Sequence, residues 1–292
     1  MVDKFLKYIA LEKRHSTHTL TSYQLDLSQF QDFLQEIYEL EDLLAVDYNM
    51  LRSWIVALSE QGLKASSINR KIATLKSFYK FLQRKNYLEQ NPTLRVKPLK
   101  TPKKVPVFVE EDSMNTLLDQ LTFEEDFAGQ RDKLILEMLY NTGMREAELI
   151  SLQEKDIDFA HQQVKVMGKG AKERIIPLAR PLLHFIQNYL LLKKQHFEAA
   201  SPYLVVTDKG AQSYPMLIYR VVKKYLDLIT TSEKKSPHVL RHTFATHLLN
   251  KGADLNAIKE ILGHSSLKAT QIYTHTSLER LKEIFEQAHP KA

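Results

Sequence analysis

Cysteine is absent from the 292 residues. That removes disulfides, thiolate nucleophiles and thiolate-held zinc together, and it fits a reducing compartment. Glycine and proline are sparse, at 8 and 10 residues, so collagen-like and glycine-rich linker classes are excluded. The longest unbroken apolar run is the five residues from Trp54 to Leu58, whereas a membrane-spanning helix needs about 20. The first residues, MVDKFLKYIALEKRHS, lack both a long apolar stretch and a small-residue cleavage site, so no signal peptide is expected. What is present is an ordinary globular balance, 43% hydrophobic and 26% charged. The length is enough for two domains of about 150 residues, each with its own core.

The formal net charge is +6, and it is unevenly spread. Residues 1–60 carry a net of −5, residues 61–104 a net of +11, and residues 105–292 balance to zero. A polyanion such as DNA or RNA would bind the middle stretch and release counterions. The alternative is a solvated basic face without a partner. No apolar anchor or lipidation signal follows it, so a membrane partner is not expected.

From Lys97 to Pro106 the chain reads KPLKTPKKVP, with three prolines and four lysines in ten residues. Such a segment cannot stay helical, because proline lacks the N–H and clashes with the preceding turn. The expected division is therefore a domain at 1–97, a linker at 98–106 and a second domain at 107–292. Apolar spacing in the first part predicts four helices, marked by Phe5 and Ile9; Leu20, Tyr23, Leu27, Phe30, Leu34 and Ile37; Leu51, Trp54 and Leu58; and Ile68, Ile72, Leu75, Tyr79 and Leu82. Gly62 is placed to end the third helix and Ser66 to cap the fourth. Lys76, Lys80 and Arg84 recur every four residues, a basic stripe opposite the apolar one. Arg70 and Lys71 extend it as candidate DNA contacts.

The second part also reads as mainly helical. Helices are expected over 110–121, 131–140, 145–152, 181–194, 216–228, 239–251, 255–262, 267–273 and 278–288. A hairpin interrupts them, in which Val164 and Val166 alternate, Gly168-Lys169-Gly170 turns, and Arg174 to Leu178 returns.

Residues able to do chemistry gather in this part. In TGMREAELISL, Arg145 stands at a helix start two residues after Gly143, where its planar fork suits a phosphate; an ion pair with Glu146 or Glu148 is the competing reading. In PHVLRHTFATHLLNKG, His238 and Arg241 are three apart and share a helix face. His238 and His242, with His247 nearby, could instead chelate zinc, but the glutamate of an HExxH motif is missing. His264 sits at a helix corner and Tyr273 follows nine residues later; Lys169 lies at a turn tip. Each alone is weak, since an exposed lysine or a packed tyrosine is common. Together they form the inventory for phosphoryl transfer without a metal: guanidiniums for the phosphate charge, a phenol as nucleophile, and a lysine as acid.

With TGMREAELISL, GKGAKER and SPHVLRHTFATHLLNKGADLNAIKEILGHSSLKATQIYTH in this order, the chain resembles the tyrosine recombinase (phage integrase) family over nearly its whole length. Within that family it is most similar to the bacterial Xer recombinases, XerC and XerD. The resemblance implies a mainly α protein: an N-terminal four-helix core-binding (SAM-like) domain and a mostly helical catalytic domain with a small antiparallel β-sheet. It places the catalytic set on Arg145, Lys169, His238, Arg241, His264 and the nucleophile Tyr273, with Glu148 orienting Arg145. It implies attack of Tyr273 on a scissile DNA phosphate, a 3′-phosphotyrosyl link, and strand exchange without cofactor, ATP or metal.

The resemblance further implies a cytoplasmic, nucleoid-associated enzyme that clamps double-stranded DNA as a C between its two domains. It would act as a tetramer, of one kind or with a second Xer recombinase, and resolve chromosome dimers at a dif-like site. An amphipathic tail carrying Leu281, Ile284 and Phe285 would dock on a neighbouring protomer, and a DNA translocase is a possible activator. Alternatives that stay open are a mobile-element integrase or invertase, a type IB topoisomerase, an idle DNA-binding protein and a helical RNA-binding module.

Overall fold

The computed structural model describes residues 1–13, 15, 17–102, 107–168, 173–199 and 201–263. It divides into two compact units, Met1–Lys104 and Val105–Ala292.

The first unit holds α1 (Val2–Leu11), α2 (Thr17–Tyr38), α3 (Tyr48–Glu60) and α4 (Ala65–Arg84). Asp47 starts α3 by accepting the Met50 N–H at 2.9 Å, and Gly62, at φ +77°, turns the chain after it. The expected apolar stripes face inward, with Phe5, Leu27, Phe30, Trp54, Leu75 and Tyr79 fully or almost fully buried. Ile37 departs from the pattern, lying exposed in the last turn of α2. Lys64, not Ser66, occupies the N-cap of α4 and supplies no side-chain cap. The Asn69 amide pairs both ways with the Leu99 backbone, at 2.7 and 2.9 Å, and Leu99 packs on this core. The start of the expected linker is thus tied to α4. Residues 103–106 lie outside the described residues.

The second unit begins with α5 (Glu111–Asn115), which passes into a π-helical turn over Thr116–Gln120 rather than continuing as one α-helix to Leu121. Then come α6 (Phe127–Thr142), α7 (Glu146–Ser151) and three short strands, β1 (Ile157–Asp158), β2 (Gln163–Met167) and β3 (Glu173–Pro177). The strands are antiparallel in the order β1-β2-β3, and Val166 pairs with Arg174 and Val164 with Ile176. Two residues are too short a run for alternation to reveal, so β1 was not anticipated. Four more helices follow among the described residues: α8 (Arg180–His196), α9 (Pro215–Ile229), α10 (Pro237–Asn250) and α11 (Leu255–Leu262). The helices expected over 267–273 and 278–288 lie outside the described residues.

α6 is buried almost all round, and α8, α9 and α10 pack against it. Its two ends are chemically marked. Asp126 accepts the Gly129 N–H at 2.7 Å, and Gly143, at φ +58°, ends it in the left-handed region. A side chain at 143 would be strained, and its Cβ would stand 2.8 Å from Leu262 Cδ2 and press into the Phe244 ring. Glycine therefore permits both the turn and the close approach of α10 and α11, which sets up the cluster described next. No helix among the described residues is long and apolar enough to cross a membrane.

Candidate active site

Glu148 is the hub. It lies on α7 with its carboxylate buried, and four hydrogen bonds fill its acceptor positions. Arg174, on β3, grips it with both terminal nitrogens at 2.8 Å each. Arg145 donates its guanidinium to Oε1 at 2.8 Å and its backbone N–H to Oε2 at 2.7 Å. Burial alone would raise the Glu148 carboxyl, but the hydrogen bonds from Arg174 and Arg145 outweigh it and hold the group below the usual carboxylate range. The expected ion pair of Arg145 with Glu148 thus exists, and it orients a guanidinium that keeps a third of its surface open.

Arg241 completes the set from α10. It is buried, and its donors go to backbone oxygens: Gly143 O at 2.6 Å and Leu262 O at 2.6 Å. Burial, and then the charges of Arg145 and Arg174, push its pKa down to about 10, with Glu148 opposing. The end of α11 supplies carbonyls to all three arginines. Ile261 O accepts from Arg174 Nε at 2.6 Å, Leu262 O from Arg241, and Gly263 O from Arg145 at 3.4 Å. A helix C-terminus carries partial negative charge and unpaired carbonyls, so it suits cations. Two guanidiniums share the Glu148 carboxylate and the third, Arg241, has only carbonyls, so the surplus positive charge is a receptacle for an anion.

His238 is exposed in the first turn of α10, on the Arg241 face. Its charge acts on Glu146, whose carboxyl is raised chiefly by burial, with His238 pulling the other way. The structure therefore brings together Arg145, Glu148, His238 and Arg241. Lys169, His264 and Tyr273 lie outside the described residues. His247 is buried, its ring nitrogens bonded to the Tyr140 hydroxyl and Val109 O at 2.9 Å each, while His242 is exposed. Among the described residues no group of three or more His, Cys, Asp or Glu side chains could hold a metal.

Arg174 is the residue sequence reading missed. The available signal was its period: it falls on the inward side of β3 with Ile176, where an unpaired charge would be too costly to keep.

In the first unit the basic candidates separate. Lys80 and Arg84 are exposed on α4 and Lys76 is half-buried. Lys71 needs correction. It is buried, its ammonium held by Asp26 at 3.0 Å and by Gln29, so it faces the core and not a duplex. Arg70 is partly exposed but spends both terminal nitrogens on Asp26, at 2.6 and 2.8 Å.

The sequence profile of the "Phage integrase family" matches residues 107–280, and that of the "Phage integrase, N-terminal SAM-like domain" matches residues 2–86. Among known proteins, the chain is similar to a tyrosine recombinase XerC of Chlorobaculum parvum. The two are 39% identical, over 100% of this chain and 94% of that one. A tyrosine recombinase XerC of Pelobacter propionicus is also 39% identical, over 100% and 95% of the two chains. Among solved structures, the XerH site-specific recombinase in its post-cleavage complex with palindromic difH substrate has a similar fold, with a TM-score of 0.73 and 22% identity, covering 97% of this chain and 83% of that one. The Tn1549 transposon integrase in complex with transposon right end DNA shares the fold at a TM-score of 0.69 and 22% identity, over 97% and 98% of the chains.

Proposed function

The chain belongs to the phage integrase family, as a site-specific tyrosine recombinase that cuts and rejoins DNA, and from that premise we propose that it works on double-stranded DNA through a phosphotyrosyl link at Tyr273. The Tyr273 oxygen attacks the scissile phosphorus, forming a 3′-phosphotyrosyl ester and breaking the bond to the 5′ oxygen. Lys169 gives that oxygen its proton, and His238 takes the tyrosine proton. Arg145, Arg241 and His264 hold the non-bridging oxygens while charge develops on them. A 5′-hydroxyl from a partner duplex then reverses the step, so the phosphodiester bond energy is conserved.

The observation that carries this reading is the surplus charge at Glu148. Arg145 and Arg241 approach one another against their mutual repulsion, one on a shared carboxylate and one on neutral carbonyls. A phosphate between them supplies the missing negative charge. The exposed Lys80 and Arg84, with Lys76, support backbone contacts from the first unit, which position the duplex without reading its sequence.

The biological setting we propose is resolution of chromosome dimers at a dif-like site, in the cytoplasm at the nucleoid. The enzyme would work in a tetramer of one recombinase or two, with the C-terminal segment exchanged between protomers and a DNA translocase as activator. Support comes from the relatives named XerC, 36 to 39% identical and aligned over essentially the whole chain. Mapping where the protein becomes covalently trapped on its own genome tests this setting. One chromosomal locus sustains it, and the ends of a mobile element replace it with an integrase role.

The chemistry is tested on a nicked suicide duplex. The native protein accumulates a covalent adduct, and Tyr273→Phe binds the duplex with similar affinity yet forms none. An adduct retained in Tyr273→Phe overturns the assignment.

A further inference from the structure

The Arg174–Glu148 fork is a buried two-bond ion pair, yet nothing in the proposed chemistry uses Arg174. It is too buried to reach a phosphate, with 5% of its side chain exposed. Its placement is unusual for a purely structural ion pair. It sits on β3, the strand that returns from the turn bearing Lys169. One end of it binds Glu148, which orients Arg145. Its Nε binds Ile261 O, one residue before the carbonyl that holds Arg241. The chain at Gly263 passes so close that a Cβ there would lie 3.1 Å from Arg174 Cδ.

Three segments that carry catalytic candidates therefore meet on one side chain. We propose that Arg174 is a positioning residue for strand cutting: it locks the hairpin strand, the Arg145 helix and the end of α11 into one frame and keeps Glu148 ionised so that Arg145 stays aimed at the phosphate. This rests on the proposed function and adds to it a residue that touches neither DNA nor the reacting atoms.

The electrostatics give it a signature that packing alone lacks. Among the described residues, the charges that bear on Glu148 come from Arg145 on its own helix, Arg174 on β3 and Arg241 on α10, while α11 contributes carbonyls. Arg174 provides the leading hydrogen bonds that offset burial. Without them burial prevails, and the Glu148 carboxyl titrates higher than in the native chain. A protonated Glu148 can no longer accept both bonds from Arg145. On top of the pH dependence that the acid–base groups give the native chain, the variant gains a further acid limb in which rate rises with pH.

The test uses the full chain with Arg174→Met, Arg174→Lys and the double variant Arg174→Met/Glu148→Gln. Duplex affinity, single-turnover adduct formation on the nicked substrate between pH 5.5 and 8.5, and the carbon-13 NMR titration of Glu148 are measured, the pH range being about one and a half units either side of neutrality. Arg174→Met is expected to bind duplex within about threefold of native and to cut about 10²-fold more slowly at neutral pH, the scale of a misplaced catalytic group. It also gains the acid limb and an upward-shifted Glu148 titration. Arg174→Lys restores part of the rate and moves the limb back toward acid, because one ammonium replaces one of two parallel bonds. The double variant lacks the added limb and keeps the native pH dependence.

Native-like cutting in Arg174→Met overturns the proposal. So does a rate loss that merely tracks lost affinity or lost folding, with an unchanged pH profile and an unmoved Glu148 titration. A native chain that forms no Tyr273-dependent adduct would sink the proposed function instead, and the Glu148 titration then still decides the electrostatic role of Arg174.

Discussion

Each unit of this molecule buries one carboxylate under four hydrogen bonds, and the two clusters have opposite characters. In the first unit Asp26 is fully buried and accepts from Arg70 twice, from Lys71 at 3.0 Å and from Thr74 at 2.8 Å. Lys71 gives a second hydrogen bond to Gln29 and lies 5.9 Å from the centre of the Trp54 ring. That network closes on itself and ties α2 to α4. In the second unit Glu148 likewise takes four bonds, but its surroundings carry three guanidiniums, and Arg241 rests on carbonyls alone. The lesson is that burial of a charge does not reveal its purpose; the balance of the whole cluster does. A cluster in which every cation bonds the carboxylate holds helices together, and one that leaves a guanidinium without a carboxylate partner is built to be completed by a ligand.

The largest effect is expected on the closed side. Asp26→Ala strands Lys71 in the core and should lower the stability of the first unit by about 3–5 kcal/mol. The single tryptophan, Trp54, lies in that unit, so urea unfolding followed by its fluorescence reads this loss. A shift of under about 1 kcal/mol would mean that Asp26 is not the tie that its contacts describe. On the open side Gly143→Ala combines left-handed strain with a collision against Leu262 and Phe244, and should cost about 2–3 kcal/mol. Because the Gly143 carbonyl holds Arg241, adduct formation should suffer more than stability does. Equal losses in calorimetry and in single-turnover cutting would break the link between that turn and the arginine.

The smallest effect sharpens the comparison by isolating a titration in the second unit outside the arginine cluster. Burial holds the His247 imidazole below its ordinary 6.5, with the Val109 carbonyl opposing. A base whose folded pKa is lowered has its full stability above the unfolded value and loses it as pH falls. Stability should therefore decline below pH 6.5, with a slope of at most about 1.4 kcal/mol per pH unit from this group. His247→Gln should remove that component of the slope. An unaltered pH dependence of unfolding in His247→Gln would refute it.

Much of this architecture is legible in the sequence. The period of Phe30, Trp54, Leu75 and Tyr79 gave the four helices of the first unit, because an amphipathic helix must bury its apolar face. The hairpin followed from alternation at Val164 and Val166. The mainly helical fold and the small sheet agree with what those patterns and the family resemblance implied. Arg145 stood out by residue type and by the helix start it occupies, and Arg241 by the helix face it shares with His238. Lys71 and Arg174 were not legible in the same way. Lys71 reads as one more cation in a basic run, and Arg174 as one more charge beside a glycine turn. The packing of α4 on α2 shows Lys71 to be internal, and that of β3 on α7 and α11 shows what the period of Arg174 with Ile176 only hinted at.

What the amino-acid order determined by itself was local: where helices begin and end, which faces are apolar, and which residue types are available for phosphate chemistry. Those depend on neighbours within a turn or two, so a linear reading can find them. Which cations are consumed by buried carboxylates, and which are left for a ligand, was decided by tertiary structure alone. Residues 145, 148, 174, 241 and 261 to 263 interact as one electrostatic unit across more than a hundred positions of chain. The Coulomb energy and desolvation of such a set depend on distances that no spacing in the sequence contains.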